Sequence, residues 1–355
     1  MSLPTEPIGS IPRPKELLAG LDAYAAGRVT ARELDSLFEA AVKDTIRRFE
    51  ETGSPIVTDG EQRKPSFATY PIAGLANLAP GGVTIPFEDG HTRQLPVITS
   101  GPFHYNVYAA EYLEEAKRIA RRPLKQAVIS ASALSLLYPP GGLSDYPRDE
   151  FLDDLVRDAV TDIRRCLALG AEVQIDFTEG RLCIKLDPSK KLLDTFVELN
   201  NRVLAAFSAE EKRHIGVHTC PGGDRDSTHS ADVDYAELLP ALFRLDVGKF
   251  YVQLASEPDR PRVLRILGEE VKRKDGRRVF VGVTDPISPR VETASEVKDR
   301  ILEAAKFIEP SRLGSTDDCG FSPFGDDVST SRDTAFAKIR ARVEGNEMAS
   351  RELGI

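Results

Sequence analysis

Eight short apolar, β-branched runs recur along this 355-residue chain, each ending in polar or reactive residues. They cover residues 55–61, 95–101, 126–132, 172–179, 214–220, 249–257, 278–285 and 313–320. Near-continuous apolar runs of this length are the pattern of strands buried on both faces, as in a parallel sheet. Stretches with helical spacing lie between them, at 105–121, 148–169, 192–207, 231–245, 260–274 and 292–307. In the second of these, Phe151, Leu155, Val156, Ala159, Ile163, Cys166 and Leu167 fall on one face at three-to-four-residue steps. Gly170 follows where a helix C-cap would sit. Eight strands alternating with helices predict an α/β chain folded as a single-domain (β/α)8 TIM barrel. An open doubly wound sheet is the alternative, but no Gly-x-Gly-x-x-Gly turn follows any run.

Two segments stand outside the alternation. Residues 1–54 read as an N-terminal helical extension, with a helix at 31–51 expected to close the barrel floor; residues 55–355 read as the barrel. Residues 62–94 are rich in Pro and Gly, with a hairpin expected around Gly81-Gly82 and Asp89-Gly90.

Charge and composition narrow the function classes. With 56 acidic against 47 basic side chains, the net charge of −9 leaves no basic excess to displace counterions, so neither nucleic acid nor an anionic membrane is an expected partner. No run approaches 18 apolar residues, and the N-terminus shows no basic n-region followed by an apolar h-region. Four cysteines in so long a chain do not make a disulfide framework, and a reducing cytoplasm is the expected location.

The run endings carry the chemistry, because the C-terminal strand ends of a (β/α)8 barrel line its active site. They are Glu61, Asp176 with Glu179, His218 with Cys220, Glu257, Asp285, and Asp317-Asp318-Cys319. Residues two apart in a strand face the same side, so His218 and Cys220 point together into the barrel mouth. Imidazole and thiolate are zinc ligands; Cys319 offers another thiolate, and Glu257 is placed to complete a four-ligand set. Cys166, on a helix face, and Cys183 read as structural. Asp176 and Glu61 either bind an amine or share a proton, or else form a barrel-mouth ion pair with Arg63, Arg181 or Lys185. His229, in the Gly-rich stretch after Cys220, reads as a solvated loop histidine, with a substrate lid as the alternative. His91, His104 and His214 have no convergent partners and read as structural.

Several of these motifs together resemble the catalytic half of cobalamin-independent methionine synthase, over most of the chain. Ile8-Gly9-Ser10 resembles the family loop whose backbone helps hold the amino acid substrate. Asp59-Gly60-Glu61 and Gln174-Ile175-Asp176 are similar to the segments whose acids bind the homocysteine amino group. His218-x-Cys220, Glu257 and Cys319 resemble its zinc ligands. Gly282-Val-Thr-Asp285 followed by Ser288-Pro289-Arg290 resembles its seventh-strand signature, which gives Asp285 a catalytic role by analogy. There are departures. Phe177-Thr178-Glu179 follows Asp176 where the family has Glu-Pro; Ile287 stands at the family's proton-delivering histidine; and the chain has no tryptophan on which a folate could stack.

The resemblance implies a Zn²⁺-dependent S-methyltransferase of methionine biosynthesis. Its partners would be a small homocysteine-like thiol and a methyl donor, methyltetrahydrofolate or another methyl carrier. The zinc core rests on general chemistry. A free alkyl thiol has a pKa near 8.5 and is only a few per cent thiolate at pH 7, whereas coordination to zinc deprotonates it. The departures at the donor side leave two alternatives: a zinc-thiolate lyase or alkyltransferase that adds a thiol to an epoxide or another alkyl electrophile, and a non-catalytic zinc- or thiol-binding barrel.

Overall fold

The computed structural model describes residues 2–355. Six parallel strands form its main sheet: β1 (Lys125–Ile129), β2 (Glu172–Asp176), β3 (Ile215–Thr219), β4 (Lys249–Val252), β5 (Arg278–Thr284) and β6 (Leu313–Asp317). They neighbour one another in chain order, from β1 at one edge to β6 at the other. Almost every strand residue is buried, as the near-continuous apolar runs require.

Two single-residue bridges complete the ring. Val57 pairs in parallel with Leu124 beside β1, and Thr5 pairs in parallel with Ser315 beside β6. The two added staves are tied to each other at their ends: the Thr58 hydroxyl donates to the Gly9 carbonyl at 2.8 Å and the Ile11 amide to the Gly60 carbonyl at 3.0 Å. The result is the eight-staved (β/α)8 barrel, with one substitution against the sequence reading. The 95–101 run is not a stave. Only Val97–Ile98 is extended, and it pairs antiparallel with Leu78–Ala79 outside the ring. The eighth stave is supplied by Thr5, within the segment read as an extension.

The helices form the outer layer. They are α1 (Lys15–Ala25), α2 (Ala31–Glu51), α3 (Ala109–Ile119), α4 (Ala131–Ser135), α5 (Arg148–Ala168), α6 (Glu179–Leu186), α7 (Lys191–Leu204), α8 (Ala209–Lys212), α9 (Tyr235–Leu242), α10 (Arg260–Lys272), α11 (Ala294–Ala305) and α12 (Arg332–Glu352). α2 starts at a capping box in which the Thr30 hydroxyl accepts from the Glu33 amide while Glu33 accepts from the Thr30 amide. It does not close the floor: lying in sequence between the Thr5 and Val57 staves, it packs in the outer ring between α12 and α3. α5 ends at Gly170 (φ +80°), whose amide bonds Leu167 while Ala171 bonds Cys166; this double bond satisfies the last carbonyls and lets the chain turn into β2. The expected hairpin is present, with Thr84–Pro86 against Thr92–Gln94 across Asp89-Gly90. Among the described residues no helix is long and apolar enough to cross a membrane.

Candidate metal centre

Register builds the centre. β2 and β3 pair with Asp176 opposite His218, so imidazole and carboxylate emerge side by side at the C-terminal rim. The His218 Nδ1 lies 3.2 Å from Asp176 Oδ1, and Gln174 Nε2 donates to the same oxygen at 2.7 Å. A carboxylate on Nδ1 places the ring proton there and leaves Nε2, which lies 3.3 Å from the Asp318 carbonyl, as the nitrogen available to a metal. Burial works against charge on His218, but the Asp176 hydrogen bond, the charges of Cys319 and Asp176 and the Asp318 carbonyl together outweigh it and raise the imidazole pKa above its ordinary value.

Two residues on, Cys220 follows on the same side of the chain, and Cys319 arrives from the end of β6. The ligand atoms of His218, Cys220 and Cys319 all lie within 4.8 Å of one another. The two sulfurs are 3.1 Å apart. That is beyond the ~2.05 Å of a disulfide and a little inside the ~3.7 Å expected for two thiolates on one tetrahedral zinc. All four cysteines are free thiols. The hydrogen bond that the Cys319 thiol gives to Cys220, and then burial, push the Cys319 thiol well above its ordinary pKa. Two such sulfurs in one dry site ionise together only beside a cation, so the donor set fits a soft divalent metal.

Glu257 is not part of this cluster. β4 ends at Val252, and Glu257 lies five residues beyond it, where its carboxylate accepts from Arg181 Nη2 at 2.7 Å. The rim position just past β4 is held instead by buried Gln253, whose Oε1 accepts from Arg181 Nη1 at 3.0 Å. Of the four residues expected to meet there, the structure brings three together.

One pocket of about 360 Å³ joins the triad to Ile8, Ser10, Glu61, Gln174 and Asp176. Gly9 supports it from behind through its carbonyl bond to Thr58. Glu61 is held in a left-handed backbone conformation (φ +56°) and pairs with buried Lys64 at 2.9 Å. Burial raises the Glu61 pKa against the pull of Lys64, and nearby Asp176 adds to the rise. The ion pair weighed against a functional role therefore exists for Glu61, but with Lys64. Arg63 is committed to Glu115 and Asp35, Arg181 to Gln253 and Glu257, and Lys185 to Asp232. Neither the second oxygen of Glu61 nor Oδ2 of Asp176 has a hydrogen-bond partner among the described residues.

Asp285 is not on the pocket wall: its Oδ1 accepts from the Ile287 amide at 3.0 Å, closing a local turn. His229 is not solvated. Residues 223–228 fold into a small hairpin, and His229 behind it is buried, which drops its pKa to about 4. This hairpin is tied to the 84–94 hairpin. Asp224 accepts from Arg93 through both oxygens, at 2.6 and 3.1 Å, and His91 Nε2 lies 3.0 Å from it. The two hairpins make a roof over the barrel mouth. Cys166 and Cys183 are buried away from the triad, as expected.

Beneath the roof a second, apolar chamber of about 610 Å³ adjoins the first pocket and shares Phe67, Thr178, Gly222 and Gly223 with it. No run or spacing points to this chamber, because its walls come from the roof, from α4, from α6 and from Phe324.

The chain is similar to known proteins over nearly all of its length. The family described as "Cobalamin-independent synthase, Catalytic domain" matches residues 3–335. A methionine synthase of Sulfurisphaera tokodaii is 22% identical, aligned over 99% of this chain and 94% of its own length. A 5-methyltetrahydropteroyltriglutamate–homocysteine methyltransferase of Nitrosomonas europaea is 25% identical over 90% of this chain, which spans only 40% of that longer protein. Among solved structures, a B12-independent methionine synthase from Shewanella sp. W3-18-1, in complex with selenomethionine, superposes with a TM-score of 0.77 at 19% identity, covering 99% of both chains.

Proposed function

The chain belongs to the family of cobalamin-independent synthase catalytic domains, and on that premise we propose that it is a zinc-dependent methyltransferase acting on the sulfur of homocysteine or a similar small amino-acid thiol. One observation carries the reading: three metal-ligating atoms within 4.8 Å of one another share a pocket with two carboxylates that have unpartnered oxygens.

His218, Cys220 and Cys319 would hold the zinc. Three protein ligands are the number found in catalytic zinc sites, where a fourth position is left for water or substrate. When bound, zinc would make the substrate sulfur a thiolate at neutral pH. The protein's own residues supply the rest. Asp176 holds the His218 ring through Nδ1 and so leaves Nε2 for the metal. The unpartnered oxygens of Asp176 and Glu61 face the same pocket and form a receptor for the ammonium group of an amino acid. Lys64 holds Glu61 in place from the side away from the solvent. An amino-acid thiol anchored at its ammonium group is thereby oriented for in-line attack, and positioning of this kind contributes several kcal/mol to a bimolecular transfer.

The methyl donor is methyltetrahydrofolate or another methyl carrier. The test is methionine formation from homocysteine and methyltetrahydrofolate, using protein that holds one zinc per chain. Turnover abolished by Cys220→Ser is expected. Absence of any methylated thiol, with every methyl carrier supplied, would refute the reading.

A second reading, transfer of an alkyl group from an epoxide or similar electrophile to the thiolate, is favoured by the apolar character of the adjoining chamber. A thioether product from 1,2-epoxypropane and homocysteine would establish it.

A further inference from the structure

The adjoining chamber is walled by Ile85, Phe87, Leu95, Leu134, Leu136 and Phe324. Four polar side chains also line it: Arg93, Thr178, His229 and Glu179. Arg93 is saturated, paired with both Asp224 and Asp326 and lying 4.2 Å over the Phe324 ring. His229 spends Nδ1 on the Ser230 hydroxyl at 2.6 Å, and its low pKa keeps it neutral. The chamber thus offers no unpaired cation to an anionic ligand.

Glu179 is different. Its Oε1 lies 2.5 Å from the Ser130 hydroxyl and is also bonded by the Ser132 hydroxyl. Both hydroxyls are oriented as donors: Ser130 Oγ accepts from the Ala133 amide, and Ser132 Oγ accepts from Asn200 Nδ2 at 2.6 Å. With Oε1 committed as an acceptor, the carboxyl proton resides on Oε2. That atom is buried and has no partner among the described residues. A buried donor without an acceptor is costly, and most of the wall around it is apolar.

We propose that this chamber binds an uncharged, compact, apolar molecule carrying an acceptor oxygen or nitrogen, and that Oε2 of Glu179 donates the hydrogen bond that recognises it. Resting on the methyl- or alkyl-transfer reading, the molecule is the reacting end of the alkyl donor. The thiolate sulfur forms the new S–C bond, and the bond from carbon to the leaving oxygen or nitrogen breaks with its electron pair. The Glu179 proton moves to that leaving atom, and water later restores it. Ile287 cannot play this part, and no other unpaired acid lines the chamber.

Burial raises the Glu179 pKa to about 7 against the two serine hydroxyls, with a contribution from the Asp176 carboxylate. Of the other charged groups lining the chamber, His229 is already neutral and Arg93 remains charged. Arg181, on the same helix as Glu179, pairs with Glu257, and the nearby Asp176 is bonded to His218.

The test uses the full, metal-free chain, so it does not depend on turnover. Calorimetric titration compares anisole, which has an acceptor oxygen, with toluene, a slightly smaller arene that has none. In the wild type, anisole affinity is expected to fall roughly tenfold or more between pH 6 and pH 8.5, as the donor proton is lost. Toluene affinity should stay within about twofold, since it makes no hydrogen bond. In Glu179→Gln the amide N–H persists, and anisole binding should lose its pH dependence. No anisole binding at about 10 mM, or equal pH-independent affinity for both probes in the wild type, overturns the proposal. The two wild-type titrations decide it even if the variant does not fold, and a failed methyl-transfer assay leaves them untouched.

Discussion

Replacing Asp176 separates its two roles, orienting His218 and binding substrate. Its Oδ1 accepts from both His218 Nδ1 at 3.2 Å and Gln174 Nε2 at 2.7 Å. An asparagine can place its carbonyl oxygen at that point and keep both bonds, losing only the charge. An alanine removes the acceptor altogether and leaves two buried donors unpaired. Partners of a metal-bound histidine are worth roughly 10–100-fold in metal affinity. Asp176→Asn should therefore sit near the tenfold end, about 1.4 kcal/mol, and Asp176→Ala near the hundredfold end, about 2.7 kcal/mol. Competition with a chromophoric zinc chelator at pH 7.5 measures both. The asparagine variant should also weaken homocysteine binding by more than it weakens zinc, because the second carboxylate oxygen becomes an amide that repels an ammonium group. If both variants hold zinc within about twofold of the wild type, Asp176 does not orient His218, and the derived tautomer is wrong.

Glu257→Gln should retain one zinc per chain, as measured by metal analysis, since Glu257 pairs with Arg181 and not with the triad; loss of zinc would return it to the ligand set. Cys319→Ala should abolish zinc retention, while Cys166→Ala, in the apolar core of α5, should leave it unchanged and lower the melting temperature slightly. Gly222→Ala should lower stability by about 1–3 kcal/mol in a thermal melt. A Cβ there would lie 1.7 Å from His229 Nε2 on backbone with φ +74°, so an unchanged melting temperature would contradict the packing of the roof.

What the chain disclosed before folding and what it withheld have physical causes. The triad was legible because His218 and Cys220 are two apart at the end of a buried run, and period-two geometry sends both to one side. Cys319 was legible because it ends the last such run. Glu257 misled because its run was read to residue 257, whereas the strand stops at Val252 and hands the rim to Gln253. The 95–101 run misled because Pro96 and the Gly101-Pro102 step interrupt what its apolar residues suggest, leaving a two-residue strand outside the barrel. Thr5 was invisible as a stave: flanked by Pro4 and Pro7, it contributes a single bridge and no apolar run. The long α12 was missed because it has no apolar stripe. Lys338 and Arg342 are turned into the core, where they pair with Glu292 and Asp317, and a helix that buries charge hides its periodicity. Glu179 was noted only as a run ending. Its two serine donors come from the rim of a different strand, and no one-dimensional spacing reveals that convergence.

The central claim is that the three-ligand centre takes the substrate sulfur as its fourth ligand. X-ray absorption at the zinc edge tests it most directly, on zinc-loaded protein before and after adding homocysteine. Two sulfur neighbours at about 2.3 Å should become three, with the imidazole contribution retained. A count that stays at two, or a spectrum in which homocysteine displaces Cys220 or Cys319, would contradict the account.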